Sequence, residues 1–181
     1  MAKKPGLAQK IELIHRALDK ARIPHAFGGA IALAYYTTPR TTIDVDINIF
    51  VGPDRYSSVV KVLRRAGVEE FPDDLSDGQG RARWGPNPVD LFFAYDPIHD
   101  AMREAARTVP FADATIPILA PEHLLVPKAV FGRSKDWVDI EQMLIAVDDL
   151  ERDEIDRWLD HLFGKDDPRA ERVRSLWAEL R

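Results

Sequence analysis

The chain has 181 residues, 45% hydrophobic and 30% charged, with 25 Lys and Arg against 30 Asp and Glu for a net charge of −5. That is enough apolar residue for one domain, or one domain with a small appendage, and it excludes an intrinsically disordered chain. With no cysteine, disulfides and thiolate metal sites are excluded and a reducing cytoplasm suits the chain; no apolar run reaches the roughly 18–20 residues of a membrane span.

Met1-Ala2-Lys3-Lys4-Pro5-Gly6 is basic, but no apolar segment follows that would make it a secretory signal. Leu7 to Ala21 predicts an amphipathic helix, with Leu7, Ile11, Ile14, Leu18 and Ala21 on one stripe. Pro24 ends it. His25-Ala26-Phe27 predicts a short strand that enters Gly28-Gly29, and Ala30 to Tyr36 a small-residue helix that Pro39 breaks. Thr42 to Val51 predicts a central strand, apolar enough for burial on both faces apart from Asp44, Asp46 and Asn48. Asp54 to Gly67 predicts a helix started by Pro53-Asp54 and stopped by Gly67.

Val68 to Phe71 carries a strand signal, and Pro72 to Gly80 is a polar, Gly-containing loop. Arg81 to Trp84 and Val89 to Phe93 predict an antiparallel pair joined by Gly85-Pro86-Asn87-Pro88. Asp100 to Arg107 predicts a helix, and Thr108 to Leu119 contains short strand signals around Pro110 and Pro117. From Pro121 the pattern is helical throughout: to Phe131, then Ser134 to Val147, Arg152 to Phe163 and Asp167 to Leu180. The expected organisation is a mixed α/β (α+β) core over residues 1–120 and a helical region over 121–181.

The chemistry concentrates in Asp44, Asp46 and Asp90. Strand side chains at i and i+2 share a face, so Asp44 and Asp46 stand side by side while Ile43, Val45, Ile47 and Ile49 face the other way. Two adjacent carboxylates repel unless a cation neutralises them, and paired carboxylate oxygens are what Mg²⁺ takes together with substrate phosphates. Asp90 is the acidic residue of an otherwise apolar strand, Val89 to Phe93. Beside the Asp44/Asp46 strand it completes a three-carboxylate set; facing solvent after Pro88, it is a turn residue. Gly28-Gly29 would put backbone N–H groups at a helix start, where phosphate oxygens can be cradled.

The order of these pieces resembles the DNA polymerase β-like nucleotidyltransferase superfamily. Arg40-Thr41-Thr42-Ile43-Asp44-Val45-Asp46 is similar to the arginine-(Ser/Thr)-x-Asp-x-Asp run of AbiEii-like and MenT-like nucleotidyltransferase toxins, and resembles small-molecule antibiotic nucleotidyltransferases as well. Pro121-Glu122-His123-Leu124-Leu125-Val126-Pro127-Lys128, followed by Arg133-Ser134-Lys135-Asp136-Trp137-Val138-Asp139-Ile140, is similar to the lysine and Arg-x-Lys-Asp-x-x-Asp segment of the same group. The resemblance runs from about Ile23 to Leu144. One departure is Gly-Gly in place of the commoner Gly-Ser, which leaves a phosphate-facing hydroxyl to Thr41, to Thr42 or to nothing.

The resemblance implies a Mg²⁺-dependent enzyme, with two ions, that transfers a nucleoside monophosphate from an NTP to an acceptor hydroxyl. Asp44, Asp46 and Asp90 would bind metal, and Asp90 would also activate the acceptor. Gly28, Gly29 and Thr42 would hold the triphosphate, and Arg40, Lys128, Arg133, Lys135 and Asp139 would serve the nucleotide, with Lys128 neutralising its charge. One of Asp136 and Asp139 would pair with Arg133 or Lys135. The toxin-like version implies a tRNA or other RNA acceptor and an antitoxin protein partner; the antibiotic version, which the acidic balance suits, implies a small cationic acceptor. A catalytically inactive nucleotide-binding module is the third reading.

A general basic field for nucleic acid is absent, so an RNA partner needs a local patch: Lys61, Arg64 and Arg65; Arg81 and Arg83; or Lys128, Arg133 and Lys135. Ordinary solvated surface charge explains each cluster equally well. Trp137 reads as core rather than as a stacking platform. His15, His25, His99, His123 and His161 show no metal-ligand spacing.

Overall fold

The computed structural model describes residues 4–181; the basic start Met1-Ala2-Lys3 lies outside the described residues. The chain divides into two compact units, the first formed by residues up to Ile31 with Thr41–Leu119, the second by Ala32–Arg40 with Ala120–Arg181.

The first unit is a mixed six-stranded sheet flanked by helices. Helix α1 (Leu7–Lys20) buries Ile11, Ile14 and Leu18 of the expected stripe, and also Lys10; Leu7 is half-buried, and Ala21, past the helix end, is exposed. Strand β1 (His25–Phe27) is buried at all three residues and leads into the short helix α2 (Gly29–Leu33). Strand β2 (Val45–Ile49) follows. A 3₁₀ turn at Pro53–Arg55 opens helix α3 (Tyr56–Ala66), which buries Val59, Val60 and Leu63 and packs on α1.

Strands β3 (Gln79–Trp84) and β4 (Asn87–Phe93) form the expected antiparallel pair. Helix α4 (Ile98–Ala105) precedes β5 (Arg107–Phe111) and β6 (Ala114–Ile118), a second antiparallel pair. The sheet order is β3-β4-β2-β1-β6-β5. β2 runs parallel to β4 and antiparallel to β1, and β1 runs parallel to β6. Val45, Ile47 and Ile49 on β2 are fully buried, each contributing about 1.5–3 kcal/mol of hydrophobic stabilisation.

The differences from expectation are local and have physical causes. β2 is shorter than Thr42 to Val51, because the Thr42 hydroxyl accepts from the Asp44 N–H at 3.1 Å and turns the chain before the ladder begins. Ile43 is consequently 58% exposed rather than packed with Val45 and Ile47. α2 stops at Leu33, and Val68 to Phe71 supplies a single bridge, Glu70 to Arg83, in place of a strand. Asn87 and Pro88 belong to β4, so the turn is confined to Gly85-Pro86.

The second unit contains α5 (Pro121–Phe131), α6 (Ser134–Ala146), α7 (Arg152–Phe163) and α8 (Pro168–Leu180), within a residue or so of the sequence expectation. α5 packs against the other three, burying Leu124, Leu125 and Ala129 with Ile140, Leu144, Leu159 and Val173. No helix among the described residues is long and apolar enough to cross a membrane.

Candidate active site

Chain topology brings the aspartates together. β2 and β4 are adjacent and parallel, and their register pairs Asp46 with Asp90. Register partners on neighbouring strands present their side chains to the same face. Asp44 lies two residues before Asp46, where the Thr42 hydroxyl takes its N–H. Thr42 therefore acts here on the backbone of Asp44.

Glycine at 29 is required by this arrangement. Gly29 opens α2 with φ +52°, a backbone conformation that L side chains rarely adopt, and a Cβ there would collide with Asp46 Oδ2. Its neighbour Gly28 donates its N–H to the Asp46 carbonyl at 2.9 Å, and a Cβ on it would come within 2.9 Å of Asn48 Nδ2. The glycine pair thus serves first to let the start of α2 approach Asp46. The Gly28 amide is committed to that strand contact, so phosphate donors at this turn would come from Gly29 onward.

Asp90 is held by a partner the sequence did not reveal. Arg81, its register partner on β3, donates Nε to Oδ1 at 2.7 Å and Nη2 to Oδ2 at 2.8 Å, a bidentate fork. The Arg81 guanidinium is pushed above its ordinary range first by those bonds and then by the Asp90 charge, with Asp44 and Asp46 adding in the same direction. All three carboxylates therefore act on one cation. Among the described residues no three acidic or histidine side chains close on a common point as they stand. The donor set nevertheless suits a hard cation: Asp44 just before β2, Asp46 on β2 and Asp90 on the adjacent β4 offer carboxylate oxygens of the kind Mg²⁺ takes.

A second network fixes the approach to Asp44. The buried Lys10 ammonium donates to Trp84 O and to Asn87 Oδ1, each at 2.7 Å. Asn87 Nδ2 in turn donates to Ile43 O at 2.8 Å. α1, the β3–β4 turn and the residue before Asp44 are thereby tied together. The buried position of Lys10 on the apolar stripe of α1 was the available signal for this network.

The remaining sequence candidates lie in the second unit. Asp139, 3% exposed at its side chain, accepts from Lys128 at 2.6 Å and from Arg40 at 3.1 and 3.3 Å. Burial pushes the Asp139 carboxyl up, but the two cations outweigh it and hold the group below the usual carboxylate range. Lys128 is itself buried. Arg133 pairs with Asp136 at 2.6 and 3.1 Å, and Asp136 also accepts the Arg133 N–H, closing the first turn of α6. Lys135 is exposed, and Trp137 is buried with its indole N–H on Gly132 O, as a core residue should be.

At the opposite ends of β1 and β2 lies a cleft of about 840 Å³ lined by His15, Asp19, Arg22, His25, Phe50 and Arg103 among others. His15 Nδ1 and His25 Nε2 share a hydrogen bond of 2.9 Å there, and His25 Nδ1 bonds Ile23 O. Burial lowers the His25 imidazole to about pH 4, aided by the neighbouring His15 and opposed by the Ile23 carbonyl and Asp19.

No family model and no curated protein matches this chain. Solved structures do. The crystal structure of ANT(2″)-Ia in complex with adenylyl-2″-tobramycin is 18% identical, covers 96% of each chain and superposes with a TM-score of 0.57. A nucleotidyltransferase structure from H. pylori gives 14% identity, 99% and 92% coverage and a TM-score of 0.57. The lincosamide antibiotic adenylyltransferase LnuA, lincomycin-bound, gives 13%, 75% and 94%, and 0.54. The fold is that of the polymerase β-like nucleotidyltransferases.

Proposed function

We propose that this protein is a metal-dependent nucleotidyltransferase that moves a nucleoside monophosphate from an NTP to an acceptor hydroxyl. The observation that carries the reading is the pairing of Asp46 with Asp90 on adjacent parallel strands, with Asp44 two residues upstream and Gly29 against Asp46. Repelling carboxylates on adjacent strands are a poor choice for a purely structural sheet and a good one for a cation-binding site.

Asp44, Asp46 and Asp90 would hold the metal ions. When bound, Mg²⁺ polarises the α-phosphoryl group and offsets charge on the attacking and leaving oxygens. Asp90 takes the proton of the acceptor hydroxyl. The backbone N–H groups from Gly29 onward are the donors we assign to the triphosphate, beside Gly28, and Thr42 fixes the Asp44 backbone. In the second unit, Asp139 orders Arg40 and Lys128. Arg40, 40% exposed at its side chain, and Lys135 are the cations we assign to nucleotide phosphate; Lys128, buried on Asp139, and Arg133, folded onto Asp136, support them.

For the acceptor we take the 3′ end of a tRNA, within a toxin–antitoxin pair whose second protein neutralises this one. Its support is the Arg40-to-Asp46 run and the Lys128-to-Asp139 segment described above. A small cationic antibiotic is the second reading. It is favoured by the net charge of −5 and by the end-to-end match with a structure holding an adenylylated tobramycin. The test is a labelling assay with Mg²⁺, each α-³²P-labelled NTP and either total tRNA or an aminoglycoside panel, beside Asp44→Ala/Asp46→Ala. Label on tRNA from the parent alone supports the first reading. Label on the antibiotic replaces it with the second. No Mg²⁺-dependent nucleotide binding at all removes the enzymatic account.

A further inference from the structure

The carboxylate cluster of the first unit already has a cation on it. Both oxygens of Asp90 are occupied by the Arg81 fork at 2.7 and 2.8 Å. Arg81 also lies within the electrostatic reach of Asp44 and Asp46. Asp90 is 17% exposed, whereas the Arg81 side chain is 64% exposed and stands on β3, at the edge of the sheet. The carboxylate is thus held in place while the guanidinium has an open path to solvent.

We propose that Arg81 is the resting counter-ion of this site, and that loading of a divalent cation releases its guanidinium from Asp90. The inference rests on the proposed function, since it takes Asp44, Asp46 and Asp90 as the metal-binding carboxylates. Without metal, the like charges of Asp44 and Asp46 and of Asp90 on the adjacent strand repel, and the fork neutralises one of them in a fixed geometry. With a dication against Asp90, two positive charges would compete for the same pair of oxygens, and the flexible exposed one leaves. Arg81 is therefore a positioning residue: it keeps Asp90 aimed and weakens the site's hold on metal until a cation displaces it.

The test is a Mn²⁺ titration followed by electron paramagnetic resonance, which reads free ion directly and needs no substrate. Parent, Arg81→Met, Arg81→Lys and Asp44→Ala/Asp46→Ala are compared, with circular dichroism as the check on folding. Arg81→Met should bind Mn²⁺ about ten-fold tighter, the scale of losing one charge-assisted bidentate competitor, and Arg81→Lys should fall between it and the parent. Unchanged or weaker binding by folded Arg81→Met, with binding abolished in Asp44→Ala/Asp46→Ala, overturns the counter-ion role and leaves the metal site standing. Parent binding that does not depend on Asp44 and Asp46 overturns the functional reading and this inference with it. A second readout uses the parent alone: the Arg81 Nε–H resonance should shift as Mg²⁺ is added, and a resonance that stays fixed while the ion binds overturns the release.

Discussion

Asn87 donates its side-chain amide to the Ile43 carbonyl at 2.8 Å, one residue before Asp44, while its own oxygen takes the buried Lys10 ammonium at 2.7 Å. One side chain therefore anchors the approach to the carboxylate site and satisfies a buried charge. Replacing it with Ala leaves Lys10 with Trp84 O as its remaining hydrogen-bond acceptor here. Asn87→Ala should lose about 2 kcal/mol of stability, the scale of a lost hydrogen bond to a charged group. Urea denaturation checks it; a loss under about 0.5 kcal/mol would show that the network does not matter.

Gly29→Ala should be worse for activity than for folding. The substitution strains a residue at φ +52° and drives a methyl into the Asp46 carboxylate. The backbone term alone is about 1–2 kcal/mol. The displaced carboxylate should lower nucleotidyl transfer roughly a hundred-fold, as a misplacement of about 1 Å can. Thermal melting and the labelling assay together separate the two effects, and full activity in the variant would refute the role of this turn.

The buried ion triad of the second unit predicts an asymmetry. Asp139→Asn leaves Lys128 charged, buried and facing a neutral amide, so it should cost about 3–5 kcal/mol. Removing both charges, as Asp139→Leu with Lys128→Met, should cost markedly less, because no buried charge is orphaned. Equal losses in the two variants, read by chemical denaturation, would mean that desolvation is not what the triad balances.

Stability should fall in mild acid because of His25. Its folded value, about 4, lies below its ordinary value of 6.5. A group with a lowered folded value binds protons more readily when unfolded, so its contribution is fully present above pH 6.5 and is lost as pH falls from 6.5 towards 4. The expected loss is on the order of 3 kcal/mol. Asp139, also held low, adds a further loss only at the lower end, as pH drops through the carboxylate range. Denaturation at pH 7.5, 5.5 and 4.5 should show the decline, and His25→Gln should flatten its upper part.

Much of this architecture was legible in the chain. The helices α1, α3 and α5 to α8 follow apolar spacing bounded by Pro and Gly, which are local signals. Asp44, Asp46 and Asp90 could be singled out because a charge in an apolar strand is itself a local anomaly. The partners of those residues were not legible. Asn87 lies 44 residues from Ile43 and 77 from Lys10, and the Arg40–Asp139 pair spans 99. Such contacts depend on strand order and register, which no spacing rule encodes. The start of β2 falls later than the apolar run suggests for a related reason: the Thr42 hydroxyl competes with the sheet for the Asp44 backbone, and local side-chain hydrogen bonding wins over strand propensity.

The position of β3 at the sheet border has a consequence for solubility. Its outer side is met, among the described residues, by bridges from Glu70 and Ser76 at its two ends. The stretch around Arg81 in between presents backbone that another chain's strand could pair with. Arg81 and Arg83 project from that stretch, alternating with buried Ala82 and Trp84, and their charges deter such pairing between copies. Arg81 therefore guards the sheet border as well as facing the carboxylates. Self-association of an Arg81 variant at high concentration would report the loss of that guard, while its fold stays intact.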